Sequence, residues 1–350
     1  MRLAMTTVTI AVPIVIVATS HSVTGVRCGV PARVHSVRTM RSHASPTQDP
    51  APAGTHPATP TEPAVPEPRL PVWARVLLPT VLFLPLAMAG AVLLVIPGFA
   101  DLLNRPDTAA VWAYVPVATT VLAAYLAASW ALVRWVDRRP ISALGLRFGK
   151  HALLALLSGY AIAQIIALVA GWATQTLGFA RTPDLSAAAE PETVPVAAML
   201  LLVFLRAFVL QGIGEEVLFR GYLLQSLRRR PIQGVVIAAA AFTLPHLASS
   251  GGQQSLIEHL LYLVLPFGFA ISAGFLAIAT RSVWAAVGIH GGFHLALFVA
   301  TAVGVTAQGP AVWLATGLLH LLAGVVIAAL IPRERWAEVR DVGPYGQRPA

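Results

Sequence analysis

Apolar residues in this chain come in long, nearly uncharged blocks, and charged residues collect between the blocks instead of alternating through them. Eight blocks are long enough for a helix to cross a bilayer, which takes about 20 residues. They cover 76–99, 109–133, 152–178, 194–227, 231–248, 260–280, 282–302 and 311–331. The pattern predicts an all-α fold, a polytopic membrane helix bundle of about eight transmembrane helices, with no clear internal repeat. The bundle is expected over 72–332, followed by a cytoplasmic tail over 333–350. Ahead of it, 45–71 is rich in Pro, Ala and Thr and reads as a disordered or polyproline-like linker. Residues 1–44 carry a short apolar run, 9–18, after Arg2. That run is shaped like the core of a signal peptide and is too short to span comfortably. A peripheral segment, or a true start at Met40, would account for it equally.

Composition makes the membrane reading firmer. The chain is 57% hydrophobic and 11% charged, where a soluble domain carries roughly 25% charged residues. A surface this poor in charge could not solubilise two globular domains. The net charge of +9 is carried by arginine, with Lys150 the only lysine. Arg134, Arg138, Arg139, Arg147 and Lys150 follow the second block, and Arg228, Arg229 and Arg230 follow the fourth. Arg281 follows the sixth, and Arg333 and Arg335 the eighth. The alternate loops hold Asp101, Asp107, Asp184, Glu190, Glu192 and Glu258. The positive-inside rule then places both ends of the bundle in the cytoplasm, in a multi-pass protein of the cell membrane. Arg69 and Arg75 before the first block agree, which argues against a cleaved signal. Charge distributed this way sets topology and does not form a nucleic-acid patch. Cys28 is the sole cysteine, so neither an internal disulfide nor a cysteine metal site is available.

Ionisable side chains inside the apolar blocks are costly, so each is a functional hypothesis. The fourth block ends in "GEEVLFRGY", Gly214 to Tyr222. Glu216 and Arg220 stand at i and i+4 in the order that favours pairing. Glu215 points about 100° away around the helix and lacks a local partner. It is therefore the candidate general base, or else merely the neighbour of a structural Glu–Arg clamp. In the fifth block "FTLPH" puts His246 just after Pro245, where a kink can re-aim a side chain. In the seventh, "HGGFH" places His290 and His294 one turn apart on one face, with Gly291 and Gly292 allowing close packing. That spacing suits a metal, though no Glu follows the first His as it does in HExxH. Arg206 lies about half a helical rotation from Glu215 and is expected to be structural, as are His259 and His320.

This ordered set resembles the CPBP (CAAX prenyl protease and bacteriocin-processing, or Abi) family of intramembrane proteases. The pattern of that family is Glu-Glu-x-x-x-Arg, then Phe-x-x-x-His, then His-x-x-x-Asn or a similar polar residue. The matching segments here are "EEVLFR" (215–220), "FTLPH" (242–246) and "HGGFH" (290–294), within a candidate catalytic core of 194–305. The resemblance implies an endopeptidase that cleaves a peptide or protein substrate at or within the bilayer. Glu215 and His246 would activate the attacking water. His290 and His294 would stabilise the oxyanion, and Glu216 and Arg220 would support the site. At 294 many relatives carry Asn where this chain has His. Three imidazoles and a carboxylate would suit zinc, so a metal version, with His246, His290, His294 and Glu215 as ligands, stands as the alternative to a metal-independent glutamate mechanism. Two other classes remain open: a proton- or ion-coupled transporter and a non-catalytic, peptide-binding relative.

Overall fold

The structure is a computed structural model that describes residues 67–181, 194–249 and 251–346. The linker up to residue 66 and the N-terminal apolar run lie outside the described residues, as do the loop acids Asp184, Glu190 and Glu192. Among the described residues, eight helices are long and apolar enough to cross a membrane. They are α1 (Val72–Val95), α2 (Thr108–Val136), α3 (Lys150–Thr176), α4 (Val196–Ser226), α5 (Pro231–Ala248), α6 (Leu256–Thr280), α7 (Val283–Ala302) and α8 (Pro310–Leu330). Each expected apolar block overlaps one of them, and the ends differ by up to four residues. The chain is thus an all-α polytopic bundle, the architecture in which lipid-embedded backbone polar groups find their partners within the same segment.

Local chemistry explains where the helices start. Asp107 caps α2 by accepting from the Ala109 N–H at 2.9 Å. Ser255 caps α6 through the Glu258 N–H at 3.2 Å, and Ser282 caps α7 through that of Trp284 at 3.3 Å. Pro231 and Pro310 open α5 and α8, where a missing N–H costs nothing. Pro79 and Pro85 lie inside α1, whose second half, Ala89–Val95, winds as a 3-10 helix.

Two features position the site. Helix α4 is π-wound over Leu205–Gly212 and again over Val217–Leu223, with a single α-turn, Ile213–Glu216, between them. π-windings of this kind are frequent at functional sites. The other feature is how closely α7 lies against α3. A Cβ on Gly159 would strike the Ala285 carbonyl, and one on Gly288 would strike that of Leu156. Small residues here let the two backbones touch, as membrane helix interfaces commonly require. The packed interior forms around the second half of α4 with α5, α6 and α7, and includes Phe219, Phe242, Phe269, Ile278 and Ile289. Val81, Leu153, Ile165 and Trp172 stand exposed on α1 and α3, a surface suited to lipid.

The stretch expected as a tail contains a ninth helix, α9 (Arg333–Val342), docked on the bundle. Arg335 Nε donates to the Ile278 carbonyl at the end of α6 at 3.0 Å, and its Nη1 to Glu338 at 3.0 Å. Arg281 also pairs with Glu338. Beyond α9, buried Tyr345 donates its hydroxyl proton to the carbonyl oxygen of Arg220 at 2.8 Å.

Candidate active site

Glu215 and Glu216 occupy the short α-turn between the two π-wound stretches of α4, and both are buried, at 3% and 0% exposure. Glu216 is the hub of a charged chain. Its Oε1 accepts from Arg220 Nη1 at 3.0 Å and from His290 Nδ1 at 2.9 Å. The Glu216–Arg220 pairing therefore forms as the i, i+4 spacing suggests, and α7 supplies a third member to it. With Nδ1–H committed to Glu216, His290 turns Nε2 toward Glu215, whose Oε2 lies 3.9 Å away. One imidazole thus bridges the two adjacent carboxylates. His294 stacks on it with ring centroids 5.1 Å apart and planes 27° apart.

His246 approaches from α5. The α-winding ends at Thr243, and Leu244–Ala248 continues as a 3-10 turn containing Pro245, the local change expected of a proline at that point. His246 Nδ1 lies 2.8 Å from the Phe242 carbonyl, which can only accept, so Nδ1 carries the proton and Nε2 remains an acceptor. The Phe242 ring joins the two halves of the site. It lies 4.7 Å from the His246 ring and 6.1 Å from that of His290. The Arg220 guanidinium sits over its face at 4.7 Å, a cation–π contact in a buried setting. Phe269 of α6 closes the far side, 5.0 Å from His290 and perpendicular to it.

All six residues singled out by the motifs converge in this one region. Glu215, Glu216, Arg220, His290 and His294 are linked directly, and His246 is linked through Phe242. The zinc set does not assemble in this arrangement. Among the described residues, no three His, Cys, Asp or Glu side chains converge into a group that could hold a metal ion. His320 is fully buried, with Nδ1 2.9 Å from the Ser272 hydroxyl. His259 bonds the Ser255 carbonyl at 3.0 Å, and neither joins the site.

Arg206 stands within the first π-wound stretch of α4. The half-rotation between Arg206 and Glu215 presumes uniform α-winding, whereas the π-wound stretch Leu205–Gly212 lies between them. An i to i+5 turn takes up more residues per revolution and changes the phase. Arg206 lies within electrostatic reach of His294 and of Tyr114 on α2. The other residues that sequence reasoning passed over are Phe242, visible only as the first letter of "FTLPH", and Tyr345, which no motif marks.

No curated protein matches the chain. A family model does match, over residues 197–296, and its description is type II CAAX prenyl endopeptidase Rce1-like. The matched stretch runs from the start of α4 through most of α7 and contains every residue of the cluster just described. Over residues 197–296 the chain is thus similar to the Rce1-like type II CAAX prenyl endopeptidase family, a match consistent with the CPBP resemblance of its motifs.

Proposed function

We propose that the protein is a membrane-embedded endopeptidase in which Glu215 and His246 activate a water molecule, while His290 and His294 stabilise the oxyanion. The observation that carries this reading is the bridge from Arg220 through Glu216 and His290 to Glu215, at 3.0, 2.9 and 3.9 Å. In a buried site, uncompensated charge is expensive. Two carboxylates and one guanidinium sum to −1, so one more proton makes the cluster neutral, and that proton is shared by Glu215 and His290.

The chemistry follows from that shared proton. Water bound between Glu215 Oε2 and His246 Nε2 meets two acceptors. As its oxygen attacks the substrate carbonyl carbon, a water proton passes to Glu215. His290 then holds its second proton at Nε2 and donates to the developing oxyanion, with His294 beside it. Collapse of the tetrahedral intermediate breaks the C–N bond, and the proton on Glu215 goes to the leaving amine. General acid–base transfer of this kind is worth about 10²–10⁴-fold, and a preorganised oxyanion donor about 10²–10³-fold. Arg220 and Glu216 keep His290 in its orientation. A lipidated C-terminal peptide, the substrate chemistry named in the family description, is the first to try. The site's place in a bilayer-spanning helix suits a substrate that arrives from lipid, and both ends of the bundle face the cytoplasm.

The test is cleavage of such peptides by purified protein in liposomes. Wild type is compared with Glu215→Gln and His246→Ala, each with and without a chelator. Cleavage lost in both variants and indifferent to chelation is the expected result. Activity lost on chelation and restored by zinc would replace this mechanism with a metal one. A folded wild type that cuts nothing across a broad peptide set would overturn the protease reading in favour of transport or binding.

A further inference from the structure

Away from the active site, where α1 begins and α2 and α4 end, three guanidinium groups surround one carboxylate. Arg75 Nη1 donates to the Ser226 carbonyl at 2.9 Å and to its hydroxyl at 2.7 Å. It also lies 3.7 Å from Asp137 Oδ1, which accepts from the Ser226 hydroxyl at 3.1 Å. Arg139 and Arg228 act electrostatically on Asp137 and on each other. The formal charges are three positive against one negative.

Hydrogen bonding is as unbalanced as charge. Among the described residues, Arg75 Nε, Arg139 Nη1, Arg228 Nε and Asp137 Oδ2 are all buried without a protein partner. Arg75 and Asp137 are 8% and 1% exposed, whereas Arg139 and Arg228 are half-buried and open toward solvent. Native proteins pair such groups with protein, water or a bound ion. Burial, with the like charge of Arg139 adding to it, pushes the Arg228 guanidinium down to about 10. Burial also lowers Arg139, despite the pull of Asp137.

The cluster lies at headgroup level. Trp130 and Trp135, at the same end of α2, are exposed and meet edge to face at 5.0 Å, and Trp73 is exposed at the start of α1. Exposed tryptophans at span ends mark the interface between lipid and water. The positions of Asp137 and Arg228, one and two residues beyond the spans of α2 and α4, agree.

We propose that Arg139 and Arg228, backed by Arg75 and Asp137, form a binding site for a phosphate-bearing anion, supplied by the headgroup of an anionic phospholipid. A phosphate supplies the missing negative charge and acceptor oxygens, and guanidinium forks match its geometry. Basic pockets between helices at this depth bind anionic headgroups. The site is independent of the catalytic cluster and of the proposed reaction.

The experiment uses the full chain in a neutral detergent and follows its thermal stability. The arms are phosphatidylglycerol, phosphatidylcholine, inorganic phosphate and chloride. The expected result is saturable stabilisation of wild type by phosphatidylglycerol alone. In Arg139→Gln/Arg228→Gln the half-saturating concentration should rise by at least about tenfold, the loss of two basic contacts. An Arg333→Gln/Arg340→Gln control should titrate as wild type does. If the Gln variant fails to fold, Arg139→Lys/Arg228→Lys retains the charge without the fork, and a severalfold rise supports the site. Equal titration by wild type and the Gln or Lys variants would overturn it. Equal stabilisation by inorganic phosphate would keep the phosphate site and overturn the lipid as its source.

Discussion

Replacing Tyr345 with Phe removes a single oxygen and isolates one contact between the C-terminal segment and α4, the helix that carries the candidate site. The hydroxyl donates to the carbonyl of Arg220 at 2.8 Å, and Arg220 is the residue that holds Glu216 at 3.0 Å. The ring itself would stay in place. It packs on Gly145, whose φ of +76° and missing Cβ leave room for the ring face. A buried carbonyl deprived of a donor costs about 1–3 kcal/mol. If that cost falls on docking, residues 333–346 open more often by roughly 5- to 150-fold, at about 1.4 kcal/mol per decade. Hydrogen exchange of the C-terminal segment reads this directly, with peptide cleavage measured on the same preparations. Tyr345→Ala serves as the reference, because it also removes the ring and should cost about 3–5 kcal/mol. Were Tyr345→Phe to exchange like wild type while Tyr345→Ala opened the segment, ring packing alone would account for docking. The reasoning from the hydrogen bond would then be refuted.

Three further outcomes follow from the same geometry. Glu216→Gln leaves Arg220 and His290 without their shared anion, which should cost about 3–5 kcal/mol in resistance to denaturant; adding Arg220→Met should recover stability without recovering cleavage. Gly288→Ala drives a methyl group into the Leu156 carbonyl, so α7 must move off α3; a loss of about 1–3 kcal/mol is expected, along with a fall in kcat as His290 is displaced. Acidification should release α9. Burial pushes the Glu338 carboxyl up, but hydrogen bonds from Arg281 and Arg335 outweigh it and hold it below the usual range. The unfolded state then binds the proton more readily. Docking strength is full above the ordinary glutamate value of about 4.3 and is lost as pH falls through the lower, docked value. Exchange of the C-terminal segment against pH should show that loss, and Glu338→Gln should flatten the profile.

The eight spans were legible in the chain because a bilayer imposes a length and a polarity that single segments must meet by themselves. The polar residues of the candidate site stood out for a related reason. Glu215, Glu216, Arg220, His246, His290 and His294 are conspicuous against Leu, Ala and Val, and no local structure explains them. Their pairing was legible only where partners share a helix, as Glu216 and Arg220 do. That His290 also bonds Glu216 depends on how α7 meets α4 across 74 residues of sequence. That approach is itself set by the close contact of Gly288 with α3 and of Gly291 with Phe208.

What the sequence by itself determined is the number of membrane-crossing helices, the membrane as their solvent, and the short set of polar residues that must answer for being there. Tertiary structure alone decided the rest. Helical phase across α4 depends on π-windings that no residue pattern announces, so Arg206 could not be placed by counting 100° steps. The role of residues 333–346 was hidden because a polar, arginine-rich helix outside the apolar blocks looks like any solvated tail; its function comes from where Arg335, Glu338 and Tyr345 land. The cluster around Asp137 draws on the start of α1 and the ends of α2 and α4, segments up to 153 residues apart (Arg75 to Arg228). In each case the deciding quantity is a contact between distant segments, and one-dimensional patterns carry no term for it.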